Sequence, residues 1–246
     1  DAKVLHVFMI GVGLIGGTLI EQIRSQAAQL KKKQSLEIKI VGLSNSRKML
    51  FDADGIDLEN WEDDLKNKSE ALTSISAFVQ KMIAMNLQNS IFLDNTASKD
   101  VAVHYENILD ASISVSTPNK IAVSSSYLQY NRLKNIAKLR NVLFMYETNV
   151  GAGLPVILTI SDLMHSGDRI HRIEAVLSGT LNFVFNNYNG SKKFSEVVRQ
   201  AQAEGYTEPD PRLDLGGTDV MRKIMILTRE AGEKIEMYDI ENQSFM

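Results

Sequence analysis

The stretch Glu204-Gly-Tyr-Thr-Glu-Pro-Asp-Pro-Arg-Leu-Asp-Leu-Gly-Gly-Thr-Asp-Val-Met-Arg-Lys223 gathers the acids Glu208, Asp210, Asp214 and Asp219 with Lys223 around a proline-stiffened turn that leads into an apolar-periodic helix. Carboxylates in such a cluster suit a substrate carrying an ammonium group, which needs charged partners once it leaves water. Pro209 and Pro211 fix φ and bias Glu208 and Asp210 toward extended geometry. Asp219 and Lys223 stand at i and i+4, one above the other on a helix face. A solvated turn followed by an ordinary helix salt bridge is the competing reading of the same residues.

The elements that would position a reaction come earlier in the chain. Val4-Leu-His-Val-Phe-Met-Ile10 is a short apolar run that ends at Gly11-Val-Gly13-Leu14-Ile15-Gly16 and is followed by the helical spacing of Leu19, Ile20 and Ile23. Strand, glycine turn and helix in this order form a dinucleotide-binding unit. Gly13 lets the backbone approach a pyrophosphate, Gly16 permits close helix–strand packing, and the free N–H groups at the helix start receive the phosphate charge. A second strand, Glu37 to Leu43, opens into Ser44-Asn-Ser-Arg47-Lys48. No acid stands there to accept the ribose 2′-hydroxyl, whereas Arg47 and Lys48 offer two cations, so the local charge favours NADP over NAD unless both are ordinary surface cations. Ser90-Ile-Phe-Leu-Asp94 and Ile113-Ser-Val-Ser116 repeat the design, and helical patterns lie around Glu70 to Met85 and Lys99 to Leu109. Alternating strands and helices predict a doubly wound parallel sheet, with Thr96 and Lys120 at strand ends on the nicotinamide side, although Lys120 also reads as a loop cation.

In the second half, the Gly151-Ala-Gly153 loop suits either a tight crossover or a bound ion. A helix is expected over Val156 to His165, a strand over Arg172 to Leu177, and an amphipathic helix over Phe194 to Ala203. Between the last two, Ser178-Gly-Thr180-Leu-Asn182 can present backbone donors at a helix start. Lys192-Lys193 reads as a solvated turn, Lys31 to Lys33 as a helix end, and Trp61 as a surface-anchoring aromatic. His6, His104, His165 and His171 stand outside these clusters without metal spacing.

Composition narrows the classes. At 246 residues and 44% hydrophobic the chain can bury a sizeable core. A net charge of −3 offers no basic field for nucleic acid, and no apolar run approaches membrane-spanning length, so a cytoplasmic protein is expected. The absence of cysteine excludes a thiol nucleophile.

The motifs Ile10-Gly-Val-Gly-Leu-Ile-Gly16, Thr117-Pro-Asn-Lys120, Asn149-Val-Gly-Ala-Gly-Leu-Pro155, Ser178-Gly-Thr-Leu-Asn182 and Gly205-Tyr-Thr-Glu-Pro-Asp-Pro-Arg212, in this order, resemble homoserine dehydrogenase across nearly the whole chain. Gly42-Leu-Ser-Asn-Ser and Gly55-Ile-Asp-Leu-Glu-Asn-Trp61 look most like the dehydrogenase half of bifunctional aspartokinase–homoserine dehydrogenases. The resemblance implies reduction of L-aspartate 4-semialdehyde to L-homoserine by NAD(P)H, on the way to threonine and methionine. It implies a Rossmann-type domain over 1–147 and a smaller α+β substrate and dimerisation domain over 148–246 that is incomplete at its C-terminal end, in a homo-oligomer with a possible aspartokinase domain before Asp1.

Carried over motif by motif, Glu208, Asp214, Asp219 and Thr180 would bind substrate. Lys223 would donate the proton, with Lys120 beside the nicotinamide. Gly11, Gly13, Leu14, Ile15, Gly16, Arg47, Lys48 and Thr96 would contact the cofactor. A sodium-like ion would rest on main-chain oxygens of Glu147, Val150, Ala152 and Leu154. The rival dehydrogenase acting on the same aldehyde works through a thiohemiacetal, a route closed to a chain without cysteine. The alternative is a non-catalytic, NADP-binding and dimerising fragment of such an enzyme.

Overall fold

A computed structural model describes residues 2–207 and 210–245 and separates the chain into two compact units, Asp1–Tyr146 and Glu147–Met246. In the first, β1 (Lys3–Ile10) is followed by α1 (Leu14–Gln34) and β2 (Leu36–Ser44), which pairs parallel to β1. Lys31, Lys32 and Lys33 occupy the last turn of α1, where cations complement the helix dipole. On the other side of β1 lie β5 (Ser90–Asp94), β6 (Ser114–Ser116) and β7 (Phe144–Met145), all parallel. The connections include α2 (Trp61–Asn67), α3 (Ile75–Met85), α4 (Lys99–Ala102), α5 (Tyr105–Asp110) and α6 (Tyr127–Arg140). Alternate residues of β1 face different cores: Phe8 and Ile10 pack with Phe78, Phe92 and Val115, while Val7 and Met9 pack with Ile20, Ile23 and Leu43. Burial on both faces is what a doubly wound parallel sheet requires.

With β3 (Lys48–Phe51) and β4 (Glu70–Ala71) added antiparallel at one edge, the seven-stranded sheet has the order β4-β3-β2-β1-β5-β6-β7. Asn45 accounts for the reversal, because its Oδ1 accepts the amides of Arg47 and Lys48 at 2.8 Å each and turns the chain straight back into β3 (Lys48–Phe51). Glu70, expected at the start of a helix, belongs instead to β4 (Glu70–Ala71) opposite Met49; the helix begins later, where the Ser74 hydroxyl caps the Ala77 amide.

An aromatic row crosses one face of the sheet, from Phe8 through Phe51, Phe78, Phe92 and Tyr105 to Phe144, with neighbouring centroids 4.8 to 6.5 Å apart. Gly42 makes room for it, since a Cβ there would stand 2.7 Å from the Phe8 ring.

The second unit is helical among its described residues: α7 (Val156–His165), α8 (Gly179–Asn187), α9 (Phe194–Ala203), α10 (Pro211–Leu215) and α11 (Thr218–Glu230). Among the described residues Arg172–Leu177 pairs with no neighbouring strand and forms no ladder, so the strand expected there is not seen. Its β-branched residues favour extension, but a strand also needs a neighbour for its N–H and C=O groups.

Truncating Phe92, which is fully buried at the centre of the aromatic row, should cost about 3–5 kcal/mol. Chemical denaturation of Phe92→Ala checks this against Leu128→Ala, 78% exposed, where a change within about 0.5 kcal/mol is expected.

Candidate functional site

At the carboxyl edge of the sheet the glycine turn is held by contacts that tolerate no side chain. Gly11 has φ +92, its amide reaches the Ser44 carbonyl at 2.9 Å, and an added Cβ would lie 2.9 Å from both the Asn95 carbonyl oxygen and Thr96 Cγ2. A Cβ on Gly16 would overlap the Gly11 carbonyl oxygen. Gly13 differs: it forms the N-cap of α1 without a side-chain cap, and a Cβ there would meet nothing within 4 Å. Leu14 and Ile15 are exposed beside it. No hydrogen bond engages the amides of Leu14, Ile15 and Gly16 among the described residues, which leaves this helix start suited to an anion. The Asn95 Nδ2, buried beneath this turn, has no hydrogen-bond partner among the described residues.

Next to the turn lies a cleft of about 430 Å³ whose apolar walls are Val12, Trp61 and Leu65. Arg47, Lys48 and Lys66 supply positive charge, and Glu62 is the one acid among the lining residues. Lys48 Nζ donates to the Lys66 carbonyl, whereas the exposed Arg47 guanidinium has no partner among the described residues. Trp61 is not a free surface anchor: it is half-buried, packs against the Val7–Ile20 core and forms a cleft wall. These residues fit a dinucleotide, with anion-seeking amides at the turn and an apolar, positively rimmed pocket beside it.

Thr96 and Lys120 follow the ends of β5 and β6. The Thr96 hydroxyl points inward, donating to Asp94 Oδ1 at 2.7 Å and accepting from the Ser98 amide at 3.1 Å. Its oxygen is thus committed to the protein, leaving its methyl against Gly11. Lys120 is half-buried, in a turn whose Ser124 amide and hydroxyl bind its carbonyl.

In the second unit, the residues around the start of α8 come together. Ser178 caps the Leu181 amide at 3.1 Å, and the Thr180 hydroxyl lies within hydrogen-bond distance of the Tyr206 carbonyl and 2.9 Å from Asp214 Oδ1. Lys223 Nζ pairs with Asp219 Oδ2 at 2.7 Å and donates to the Leu177 carbonyl at 2.8 Å. Asp214, Asp219, Lys223 and Thr180 thus converge on the segment 177–180. Asp210 is turned elsewhere: it caps α10 through the Arg212 amide and pairs with the Arg212 guanidinium, which holds its carboxyl below the usual range. Glu208 lies outside the described residues.

The loop before α7 bends at Gly151 (φ +84) and Ala152 (φ +52). The Glu147 carboxylate accepts the amides of Ile157 and Leu158 at 2.9 and 2.8 Å, capping α7. Its main-chain oxygen and that of Leu154 each accept one amide, and no hydrogen bond reaches those of Val150 and Ala152 among the described residues. No cluster of three or more His, Cys, Asp or Glu side chains forms there either. The histidines join neither group; His6 Nδ1, for instance, contacts the Gln88 carbonyl at 2.6 Å. The residue that sequence reasoning passed over is Asp94, whose only signal was an acid closing an apolar strand.

Comparison with known proteins finds two family matches along the chain. Residues 11–147 match the family described as homoserine dehydrogenase, NAD binding domain, and residues 155–246 the family described as homoserine dehydrogenase. The bifunctional aspartokinase/homoserine dehydrogenase of Daucus carota chloroplasts is 44% identical over 243 residues, which cover 98% of this chain and 26% of the carrot protein. The homoserine dehydrogenase of Schizosaccharomyces pombe is 37% identical, covering 94% and 63% respectively. A solved hyperthermophilic archaeal homoserine dehydrogenase in complex with NADPH shares the fold, with a TM-score of 0.78 and 24% identity over 94% of this chain and 71% of that one. With a glycine turn and cleft that fit a dinucleotide, and family matches over residues 11–147 and 155–246, the chain belongs to the homoserine dehydrogenase family.

Proposed function

We propose that this chain is the coenzyme- and substrate-binding part of an enzyme that interconverts L-aspartate 4-semialdehyde and L-homoserine with NADP(H), in the route to threonine and methionine. The observation that carries this is Lys223, 18% exposed, clamped between Asp219 and the Leu177 carbonyl beside Thr180 and Asp214. When bound, the reduced nicotinamide supplies a hydride to the aldehyde carbon. The oxygen then gains negative charge and needs a proton, and an ammonium held in place can stabilise and protonate it. Two of the three Lys223 N–H bonds are taken by Asp219 and Leu177, which aims the third. Lys120, in the first unit, shares the electrostatic work at the nicotinamide side. Asp214 and Asp219 receive the substrate ammonium together with Glu208, and Thr180 orients Asp214.

Gly11, Gly13, Leu14, Ile15 and Gly16 cradle the pyrophosphate, while Thr96 supports the turn. Arg47 and Lys48 give the preference for NADP, supported by a guanidinium that has no partner among the described residues and by a β2 end without an acid. The carbonyls of Glu147, Val150, Ala152 and Leu154 would hold a sodium-like ion in the second unit, a role suited to the left-handed turn at Gly151 and Ala152.

The exposed apolar side chains of Leu154 and Leu158 support a homo-oligomer, and the name of the carrot relative supports an aspartokinase domain in the same polypeptide. No helix among the described residues is long and apolar enough to cross a membrane. We place the enzyme in the cytoplasm, although the carrot relative is chloroplastic.

In the full-length polypeptide, Lys223→Ala should lower kcat by roughly 10²- to 10⁴-fold while the NADPH dissociation constant stays near that of the parent. NADPH absorbance with aspartate semialdehyde measures the first and coenzyme titration the second; a folded, coenzyme-bound parent that is inert refutes the reading. Arg47→Ala removes one charge-assisted contact, so kcat/KM for NADPH should drop about tenfold or more. The same constant for NADH should stay within about twofold, and equal losses with both coenzymes would exclude a 2′-phosphate role.

A further inference from the structure

Asp94 closes β5 in complete burial, and no ion pair reaches it among the described residues. A buried carboxylate without a counter-charge is costly unless hydrogen bonds hold it. Here four do. Oδ1 accepts the Thr96 amide at 2.8 Å and the Thr96 hydroxyl at 2.7 Å; Oδ2 accepts the Tyr105 hydroxyl and Asn119 Nδ2, the latter at 3.0 Å.

Further bonds tie the same groups together. The Thr117 hydroxyl donates to the Asp94 carbonyl at 2.8 Å and accepts the Asn119 amide at 2.9 Å. Asn119 Nδ2 also donates to the Ser98 carbonyl at 3.0 Å, and its Oδ1 accepts the Ile121 amide at 3.1 Å. One side chain therefore joins the loop 95–98 to the turn 117–121, within which Lys120 sits. Burial and the neighbouring Asp94 charge push the Tyr105 phenol up, so it remains a donor at every working pH. Because Thr96 Cγ2 abuts Gly11, the glycine turn leans on this assembly as well.

We propose that Asp94 is a positioning residue, whose hydrogen bonds set Thr96 against the glycine turn and fix the turn that carries Lys120, and so align the coenzyme in the first unit. The inference rests on the dehydrogenase reading. Asp94→Asn in the full-length polypeptide turns one acceptor into a donor facing Asn119 and Tyr105, while Tyr105→Phe removes a single donor.

Amide hydrogen exchange without any ligand should accelerate by roughly tenfold or more in both 95–98 and 117–121 of Asp94→Asn, with β1 unchanged. The same two segments should respond more weakly in Tyr105→Phe. In Asp94→Asn, NADPH should bind more weakly and kcat fall about a hundredfold, whereas the KM for semialdehyde stays within about threefold. Should Asp94→Asn fail to fold, Tyr105→Phe carries the same measurements. Exchange unchanged in either segment, or loosened segments with parental kcat and NADPH affinity, would overturn the proposal. An inert parent whose variants still loosen both segments and bind NADPH more weakly would instead remove the dehydrogenase reading and leave the positioning role standing.

Discussion

Parallel pairing delivers the carboxyl ends of β1, β2, β5, β6 and β7 to one edge of the sheet, and the chain must there satisfy backbone groups that the ladder no longer serves. Its loops continue the ladder by a few bonds: the Gly11 amide reaches the Ser44 carbonyl, Asn95 reaches Ile10, and Thr117 reaches Met145. Each bond carries a loop onto the neighbouring strand, which is why the glycine turn, the 95–98 loop and the 117–121 turn crowd together. Only glycine fits at 11 and 16 because the neighbouring backbone and Thr96 methyl already occupy the space a side chain would need.

Charge is treated in opposite ways along this edge. Asp94 is withdrawn from water and surrounded by neutral donors, so it acts on the protein itself. Arg47 is left exposed, with no acid at the end of β2 to neutralise it, and so retains its full attraction for an anion. Lys223 in the second unit stands between these cases. As a stability device its pair with the half-exposed Asp219 is worth little. The carbonyl of Leu177, 46 residues away in sequence, restricts it further and gives the ammonium a direction.

The second unit also shows how a local contact decides between roles. Glu147 could have offered its carboxylate to an ion, but the amides of Ile157 and Leu158 claim both oxygens, leaving main-chain carbonyls as the loop's acceptors. Asp210, stiffened by the prolines beside it, is likewise spent on its own helix. Acids adjacent in sequence thus divide into caps and cluster members according to which amide lies nearest.

What the amino-acid order determined by itself was local. Short apolar runs and the glycine spacing specified β1, α1 and β2; 3.6-residue periodicity placed α7 and α9; and the i, i+4 offset of Asp219 and Lys223 sufficed for their ion pair. Such features depend on neighbours within a turn or two. Only tertiary structure decided the rest: that β3 folds back antiparallel, that Arg172–Leu177 has no strand beside it among the described residues, and that Trp61 walls a cleft. It alone turned the Thr96 hydroxyl inward and made Asp94 the junction of two loops. Those outcomes rest on pairing, burial and hydrogen bonds between residues tens of positions apart, and no spacing along the chain encodes which distant donor will arrive.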